Sequence, residues 1–193
     1  MSRLVNHIEQ GQVYRRSDLE YYSTSIDRDL IELIKNGYLL KINQGLYYSP
    51  KKTKFGIVPP DEHILIERFL KDDDFLILSP NLFNVLGLGL TQLYNVTWVY
   101  NHKRKGKIDI HGKTFDFKLK SAFPREISKE YLLIELLNNI NLIAEDQISI
   151  IYKLNAKLIE FNQDRLKDVT QQYGLGTTKR MLKKLIRKST KND

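Results

Sequence analysis

An amphipathic helix followed at once by a hairpin is the feature of this sequence that most restricts its fold. Residues 26–36 carry apolar side chains at the i, i+4, i+7 and i+8 spacing of one helical face. These side chains are Ile26, Leu30, Leu33 and Ile34. Gly37 is a typical helix stop, and the β-prone runs 38–42 and 46–48 flank the connection Asn43–Gln44–Gly45. Two such runs around a short, glycine-containing connection predict a β-hairpin.

The residues before this helix predict two shorter elements. Residues 2–8 have the pattern of a short helix, and residues 12–14 are β-prone. Ser17 and Glu20 match a capping box, which predicts a brief second helix that ends in a turn at residues 22–25. Helix, short helix, longer helix and hairpin is the order of a winged helix-turn-helix, which we predict for residues 1–54. The alternative is a small α+β domain in which this order is accidental.

The rest of the chain predicts a second region. Residues 51–60 are predicted to be a linker, since Gly56 and the pair Pro59–Pro60 interrupt regular structure. Residues 61–193 then predict an α+β domain with a small antiparallel sheet and a helical C-terminal end, so the whole chain is assigned to the α+β class. Helices are predicted at 61–70 and 79–86 and strands at 75–78, 96–100, 107–110 and 114–119. Four further helices are predicted near 129–140, 146–161, 164–173 and 178–188.

Charge and composition narrow the class of protein. The net charge is +8, of which the segment from Thr177 to the end supplies +6, from seven basic residues and one acidic residue. Basic charge favours an acidic partner such as nucleic acid. The chain has no cysteine, which excludes disulfides and thiol chemistry and fits a cytoplasmic protein. No apolar run is long enough for a membrane helix, and no signal peptide is evident, so we expect no membrane partner.

Candidate DNA contacts follow from the predicted winged helix. The third helix of this motif enters the major groove, and its predicted outward face holds Ser25, Arg28, Glu32 and Lys35. Arg28 is the best candidate for a guanine edge, although Asp27 and Asp29 beside it repel phosphates. The other candidates are phosphate contacts before the second helix and on the wing: Arg15, Arg16, Lys41, Asn43 and Gln44. Lys51, Lys52 and Lys54 lie behind the wing and are candidates of the same kind, although a solvated surface charge is the more common role of any single lysine.

The basic final helix is the second candidate surface. Its apolar arc holds Met181, Leu182, Leu185 and Ile186, and its other arc is cationic. The candidate partner-binding residues are Lys179, Arg180, Lys183, Lys184 and Arg187, followed by Lys188. The equal alternative is that this terminal helix packs its apolar side and leaves its charges in water, without binding a partner.

Motifs of enzymes are largely missing. The four histidines are scattered, no G-x-S-x-G motif occurs, and residues 174–179 lack the spacing of a phosphate-binding loop. We therefore expect no catalysis, no cofactor and no metal site. A nuclease with a DNA-targeting domain would need clustered carboxylates, and none are spaced for a metal.

Several motifs resemble those of the AbiEi-type antitoxins of type IV toxin–antitoxin systems. The opening segment Gly11–Tyr14 with Ser17–Leu19, the stretch 30–39 and the turn 43–47 resemble the DNA-reading domain of that family. The segment 78–88, followed by Thr91–Gln92, is similar to its C-terminal core motif, although small residues are commoner at positions 80–82. Tyr173–Gly174 and residues 178–182 are similar to its end motif.

The resemblance implies a repressor of its own operon that binds promoter repeats in double-stranded DNA. It also implies a neighbouring nucleotidyltransferase-like toxin that the protein counteracts, with or without a stable complex. The alternative is a winged-helix regulator whose C-terminal domain senses a small ligand and which has no toxin.

Overall fold

The structure is a computed structural model that describes residues 3–189, with side chains to Arg187. The predicted cap Ser2, the side chain of Lys188 and the basic residue Lys191 lie outside the described residues. The architecture is a mixed α+β fold with three small sheets. None of the described helices has the length and hydropathy needed to cross a membrane.

Residues 3–48 form a three-stranded antiparallel sheet with helices against it. Its elements are β1 (Val13–Arg15), α1 (Arg16–Leu19), α2 (Ile26–Lys35), β2 (Leu40–Asn43) and β3 (Leu46–Tyr48). Single 3₁₀ turns occupy Arg3–His7 and Glu20–Tyr22. The strand order is β1-β3-β2, so the predicted hairpin forms and β1 adds to its far side.

The cap of α1 differs from the prediction. The helix begins at Arg16, before the predicted cap Ser17. The carboxylate of Asp18 accepts the backbone N–H of Arg15 at 3.0 Å and so satisfies one of the donors that a helix start leaves free. The acid next to Ser17, and not the serine itself, therefore fixes this helix start.

The buried face of α2 is narrower than predicted. Ile26, Leu30 and Leu33 are buried against a small cluster that includes Leu4, Leu19, Leu39 and Tyr47. Ile34 was predicted in the core but is 36% exposed. At about 100° per residue, the side chain of Ile34 projects to one side of the direction that the other three share. The small cluster does not extend to that side of the helix.

The predicted linker is in fact a second hairpin. Residues Lys51–Thr53 form β4 and Gly56–Val58 form β5, which pair antiparallel across the two-residue turn Lys54–Phe55. Gly56 does not break the structure, because it supplies the φ of +120° that follows this turn. Pro59 and Pro60 come after the last paired residue, where proline removes no ladder hydrogen bond.

The second region contains a four-stranded mixed sheet. Its strands are β6 (Phe75–Leu78), β7 (Val96–Asn101), β8 (Gly106–Ile110) and β9 (Lys113–Leu119), in the order β6-β7-β9-β8. The prediction of an antiparallel sheet was wrong at one pairing, since β7 and β9 run parallel. This pairing arises because β9 lies in the interior of the sheet, with Phe115 and Phe117 buried. Strand β8 is mostly exposed and carries a lysine, and it lies at the edge. The predicted turn His111–Gly112 joins β8 to β9 with positive φ at both residues.

Helices complete the second region. Helix α3 (Glu62–Leu70) follows β5 and is capped by Asp61. The predicted helix that opens at Ser79 and Pro80 is a 3₁₀ helix, Pro80–Leu86. The four C-terminal helices are confirmed as α4 (Lys129–Asn138), α5 (Gln147–Lys157), α6 (Gln163–Tyr173) and α7 (Gly176–Ser189).

The mixed sheet separates two hydrophobic clusters. On one face, Trp98 and Tyr100 pack with α4, whose residues 130–137 are all buried, and with the helices that follow it. On the other face, Val99 packs with α3 and with buried residues of the N-terminal sheet, including Tyr48. The N-terminal sheet and the mixed sheet therefore share one hydrophobic cluster.

Candidate nucleic-acid interface

The exposed edge of α2 is a stripe of three side chains. Arg28, Ile31 and Lys35 lie at i, i+3 and i+7 and are all exposed. Among the described residues, no hydrogen bond or ion pair engages the side chain of Arg28 or Lys35. Ile31, which sequence reasoning did not single out, is 68% exposed between them. The stripe thus combines two available cations with an apolar side chain.

Ser25 stands at the N-terminal end of this helix. Its side chain makes no capping hydrogen bond, and its backbone N–H donates to Ser23 Oγ at 3.0 Å. Ser23 in turn donates to Asp29 Oδ2 at 2.6 Å. A serine turn therefore positions the helix start, and the Ser25 hydroxyl is not used for capping.

The guanidinium of Arg16 forms ion pairs with two carboxylates of the N-terminal region. It bonds Asp27 through two nitrogens, at 2.9 and 3.0 Å, and Glu20 at 2.5 Å. The hydrogen bond to Asp27 is the largest cause that raises the pKa of Arg16. A phosphate contact by Arg16 would have to compete with both carboxylates, so Arg16 is a weaker candidate than the sequence suggested. The same pairing compensates the negative charge of Asp27 beside Arg28.

Arg15 faces the second region. Burial lowers its pKa, and the nearby cations Arg104 and Arg68 add to this, while Asp18 opposes it. Its Nη1 atom is buried without a hydrogen-bond partner. Arg15 lines a cavity of about 430 Å³ together with Arg68 and Lys71. The structure thus places Arg15 at the junction of the two sheets.

The chain was compared with known proteins. No protein-family model matches it, and no curated protein matches it. The crystal structure of the RV2827C protein from Mycobacterium tuberculosis superposes with a TM-score of 0.62, at 13% sequence identity, over 97% of this chain and 76% of that chain. The similarity is one of fold. It supports the mixed α+β architecture and, at this identity, carries no activity with it.

The β2–β3 hairpin carries the remaining predicted contacts, with Lys41 within β2 and with Asn43 and Gln44 at the tip. Lys41 and Gln44 are exposed, and Asn43 Oδ1 accepts the backbone N–H of Gln44 at 2.6 Å. The tip lies against the start of α1, where the Gly45 carbonyl accepts the Arg16 N–H at 2.9 Å. Lys41 and Gln44 therefore remain available, while the side chain of Asn43 shapes the turn.

The basic helix α7 belongs to a different surface. It packs against α4, α5 and α6, with Leu182 and Leu185 buried. Arg180, Lys183, Lys184 and Arg187 are exposed, whereas Lys179 Nζ donates to the Gln171 carbonyl at 2.7 Å. Three of these cations, Lys179, Lys183 and Arg187, line a cleft of about 470 Å³ together with Lys167 of α6. The predicted partner-binding residues therefore lie at the C-terminal, helical end of the molecule. The predicted DNA contacts of α2 lie in the N-terminal region, on a different surface.

A buried polar cluster escaped the sequence analysis. The carboxylate of Glu135 is completely buried and accepts from Tyr100 Oη at 2.6 Å, from Lys120 Nζ and from two asparagine amides. Burial and then the charge of Glu135 raise the pKa of Tyr100 above its ordinary value. The available signal was a glutamate in the middle of the apolar run 131–137. Across residues 3–187, no group of three or more acidic or histidine side chains is arranged to hold a metal ion.

Proposed function

We propose that residues 1–54 are a winged helix-turn-helix and that this protein is a transcription regulator that binds duplex DNA. The observation that carries the proposal is the exposed edge of α2 with its available Arg28 and Lys35, which is followed in the chain by a hairpin that exposes Lys41 on β2 and Gln44 at its tip. An α-helix fits the major groove, and an arginine can bond both acceptors of a guanine. In this arrangement α2 reads base edges, and the hairpin contacts the phosphates beside them.

The antitoxin role is the finer part of the proposal. It rests on the resemblance of residues 11–19, 30–47, 78–92 and 173–182 to AbiEi-type antitoxins. On that basis the protein represses its own operon in the cytoplasm and counteracts a nucleotidyltransferase-like toxin. The exposed ammonium groups of Lys183 and Lys184 on α7 are available to an acidic partner. Co-expression with the neighbouring toxin tests this role, and growth arrest despite full expression of this protein would rule it out.

A second candidate function has one observation in its favour. A cavity of about 390 Å³ opens beside the buried cluster and is lined largely by polar groups, among them Lys120, Asn138 and Gln172. Such a cavity suits a small polar ligand, which would make the protein a ligand-sensing regulator without a toxin. A shift of the melting temperature by a metabolite, together with the absence of a toxin gene beside this one, would favour that alternative.

A gel-shift experiment tests DNA binding directly. Labelled DNA from upstream of the gene is titrated with the wild-type protein and with Arg28→Ala at two salt concentrations. We expect retardation that weakens steeply with salt and a loss of about 1–3 kcal/mol in the variant, the usual contribution of one bidentate base contact.

The matched control is Arg125→Ala, since Arg125 is also exposed but follows the mixed sheet. It removes the same charge and should bind nearly as well as the wild type. No retardation by the wild type would refute DNA binding. Equal losses in the two variants would show that α2 does not read the sequence.

A further inference from the structure

The β4–β5 hairpin is unusual because the molecule leaves it uncovered. All eight residues from Lys51 to Val58 are exposed. Phe55, at its tip, is 89% exposed, and Ile57 on the returning strand is 46% exposed. A two-stranded hairpin has little stability of its own in water, so an exposed arm of this kind depends on its base and on what it binds.

The base of the hairpin is firmly held. Ser49, Pro50 and Pro60 are buried on either side of it. The Tyr48 hydroxyl donates to the Val58 carbonyl at 2.6 Å, and Tyr48 itself lies in the cluster shared by the two sheets. At the tip, Phe55 N–H donates to Thr53 Oγ1 at 3.3 Å and orders the turn. The arm is thus presented in a defined direction from the core.

The charge of the hairpin is entirely positive. It carries Lys51, Lys52 and Lys54 and no acidic residue. No ion pair with another described residue engages these lysines, and Lys54 Nζ lies 5.0 Å from the centre of the Phe55 ring. A second copy of the same hairpin would be repelled, whereas a polyanion would be attracted.

The hairpin is close to α2. Lys52 lines one cavity of about 400 Å³ with Asn36, Gly37 and Tyr38, the residues that follow the C-terminal end of α2. A duplex that contacts the C-terminal end of α2 would therefore lie close to the base of the arm. Three lysines would meet its phosphates, and the Phe55 ring would meet its bases.

We propose that the β4–β5 hairpin is a second DNA contact, in which Phe55 enters the minor groove and stacks on a base step. Apolar side chains inserted in this way unstack the step and kink the duplex, and lysines at the rim hold the backbones on both sides. The inference rests on the proposed DNA binding and adds a point of contact that α2 and the β2–β3 hairpin do not supply.

Tryptophan fluorescence tests the insertion. Phe55→Trp places a tryptophan at the tip, while the native Trp98 is only 4% exposed and gives a constant background that the wild type measures. A duplex of about 30 base pairs from upstream of the gene should quench the tip tryptophan. The control is Leu93→Trp, since Leu93 is 82% exposed in a loop of the second region. Equal quenching at the two positions, or none at position 55, overturns the proposal.

Affinity and DNA bending provide the second measurement. Phe55→Ala should weaken binding by about fivefold to 150-fold, the usual effect of losing one base–aromatic stack. It should also reduce a bend of about 20–90° measured by energy transfer between the duplex ends. Leu93→Ala should change neither quantity. Wild-type affinity and an unchanged bend in Phe55→Ala would refute the insertion while leaving DNA binding by α2 intact, whereas no binding by the wild type would refute the proposed function itself.

Discussion

At the scale of single residues, the pairing of charges decides which cations are available to a ligand. Arg16 and Arg28 are both exposed or partly exposed arginines of the N-terminal region, yet Arg16 bonds two carboxylates and Arg28 bonds none within the described residues. The sequence could not distinguish them, because Arg16 and Asp27 are eleven positions apart. Only the turn between α1 and α2 brings them together.

The Arg16–Asp27 pair gives a prediction for pH. Hydrogen bonding from Arg16 is the largest cause that lowers the pKa of Asp27 below its ordinary value of 3.8. The folded pKa is depressed, so the pair contributes to stability above the unfolded value and loses its contribution as pH falls through the folded value. We expect the Asp27 carboxyl resonance to titrate below 3.8 and to return to about that value in Arg16→Ala.

The control for this titration is Arg28→Ala, which removes a neighbouring arginine that makes no ion pair with any residue that the structure describes. It should leave the Asp27 midpoint nearly unchanged. The same midpoint in the wild type and in Arg16→Ala would contradict the pairing.

At the scale of elements, the helices were the most predictable part of the fold. Their apolar spacing and their caps lie within a few neighbouring residues, as at Ser128 and Asn162, which cap α4 and α6. The parallel pairing of β7 with β9 was not predictable, because it depends on which strand becomes central and not on the sequence of either turn. The β4–β5 hairpin was missed because its residues are exposed on both strands and so lack the alternation that marks a half-buried strand.

The contact between α4 and the mixed sheet depends on Glu135. Its carboxylate accepts hydrogen bonds from Tyr100 of β7 and from Lys120, which follows β9. It also accepts a hydrogen bond from Asn139 at the C-terminal end of its own helix. Burial lowers the pKa of Lys120, and Glu135 opposes that effect. We expect Glu135→Ala to lower the free energy of unfolding by about 3–5 kcal/mol, because it leaves a partly buried cation and a buried hydroxyl without their acceptor. Urea unfolding measures this change.

Two variants calibrate the Glu135 result. Glu135→Gln keeps an oxygen acceptor and the side-chain volume, so its loss should be smaller than that of alanine. Glu126→Ala removes an exposed glutamate and should be nearly neutral. A loss below about 1 kcal/mol in Glu135→Ala would show that the cluster contributes little.

At the scale of the whole molecule, the N-terminal sheet is not isolated from the rest. Val13, Leu46 and Tyr48 pack in one cluster with Ile66, Val99, Phe115 and other residues of the second region. The predicted boundary between residues 54 and 61 is a change of local structure in the chain, but hydrophobic contacts cross it. No pattern within either segment could predict this, since each segment has a plausible core of its own.

The shared cluster predicts cooperative unfolding. We expect a single transition in urea, in which the fluorescence of Trp98 in the mixed sheet coincides with the circular dichroism of the whole chain. Tyr48→Ala should lower the midpoint of both signals together by removing a large buried ring, at a cost of about 3–5 kcal/mol. Two separated transitions would show that the two regions are independent domains.

The buried ring of Tyr48 has a further consequence for how the two halves communicate. Its hydroxyl holds the base of the exposed arm, and its ring lies in the cluster that also contains Val99. If the chain unfolds as one cooperative unit, a ligand that binds the folded N-terminal region and not the unfolded chain raises the stability of the whole unit by mass action, by about 2.7 kcal/mol at a hundred times its dissociation constant. We therefore expect a ligand on the N-terminal surface to slow amide hydrogen exchange in the helices at the C-terminal end as well.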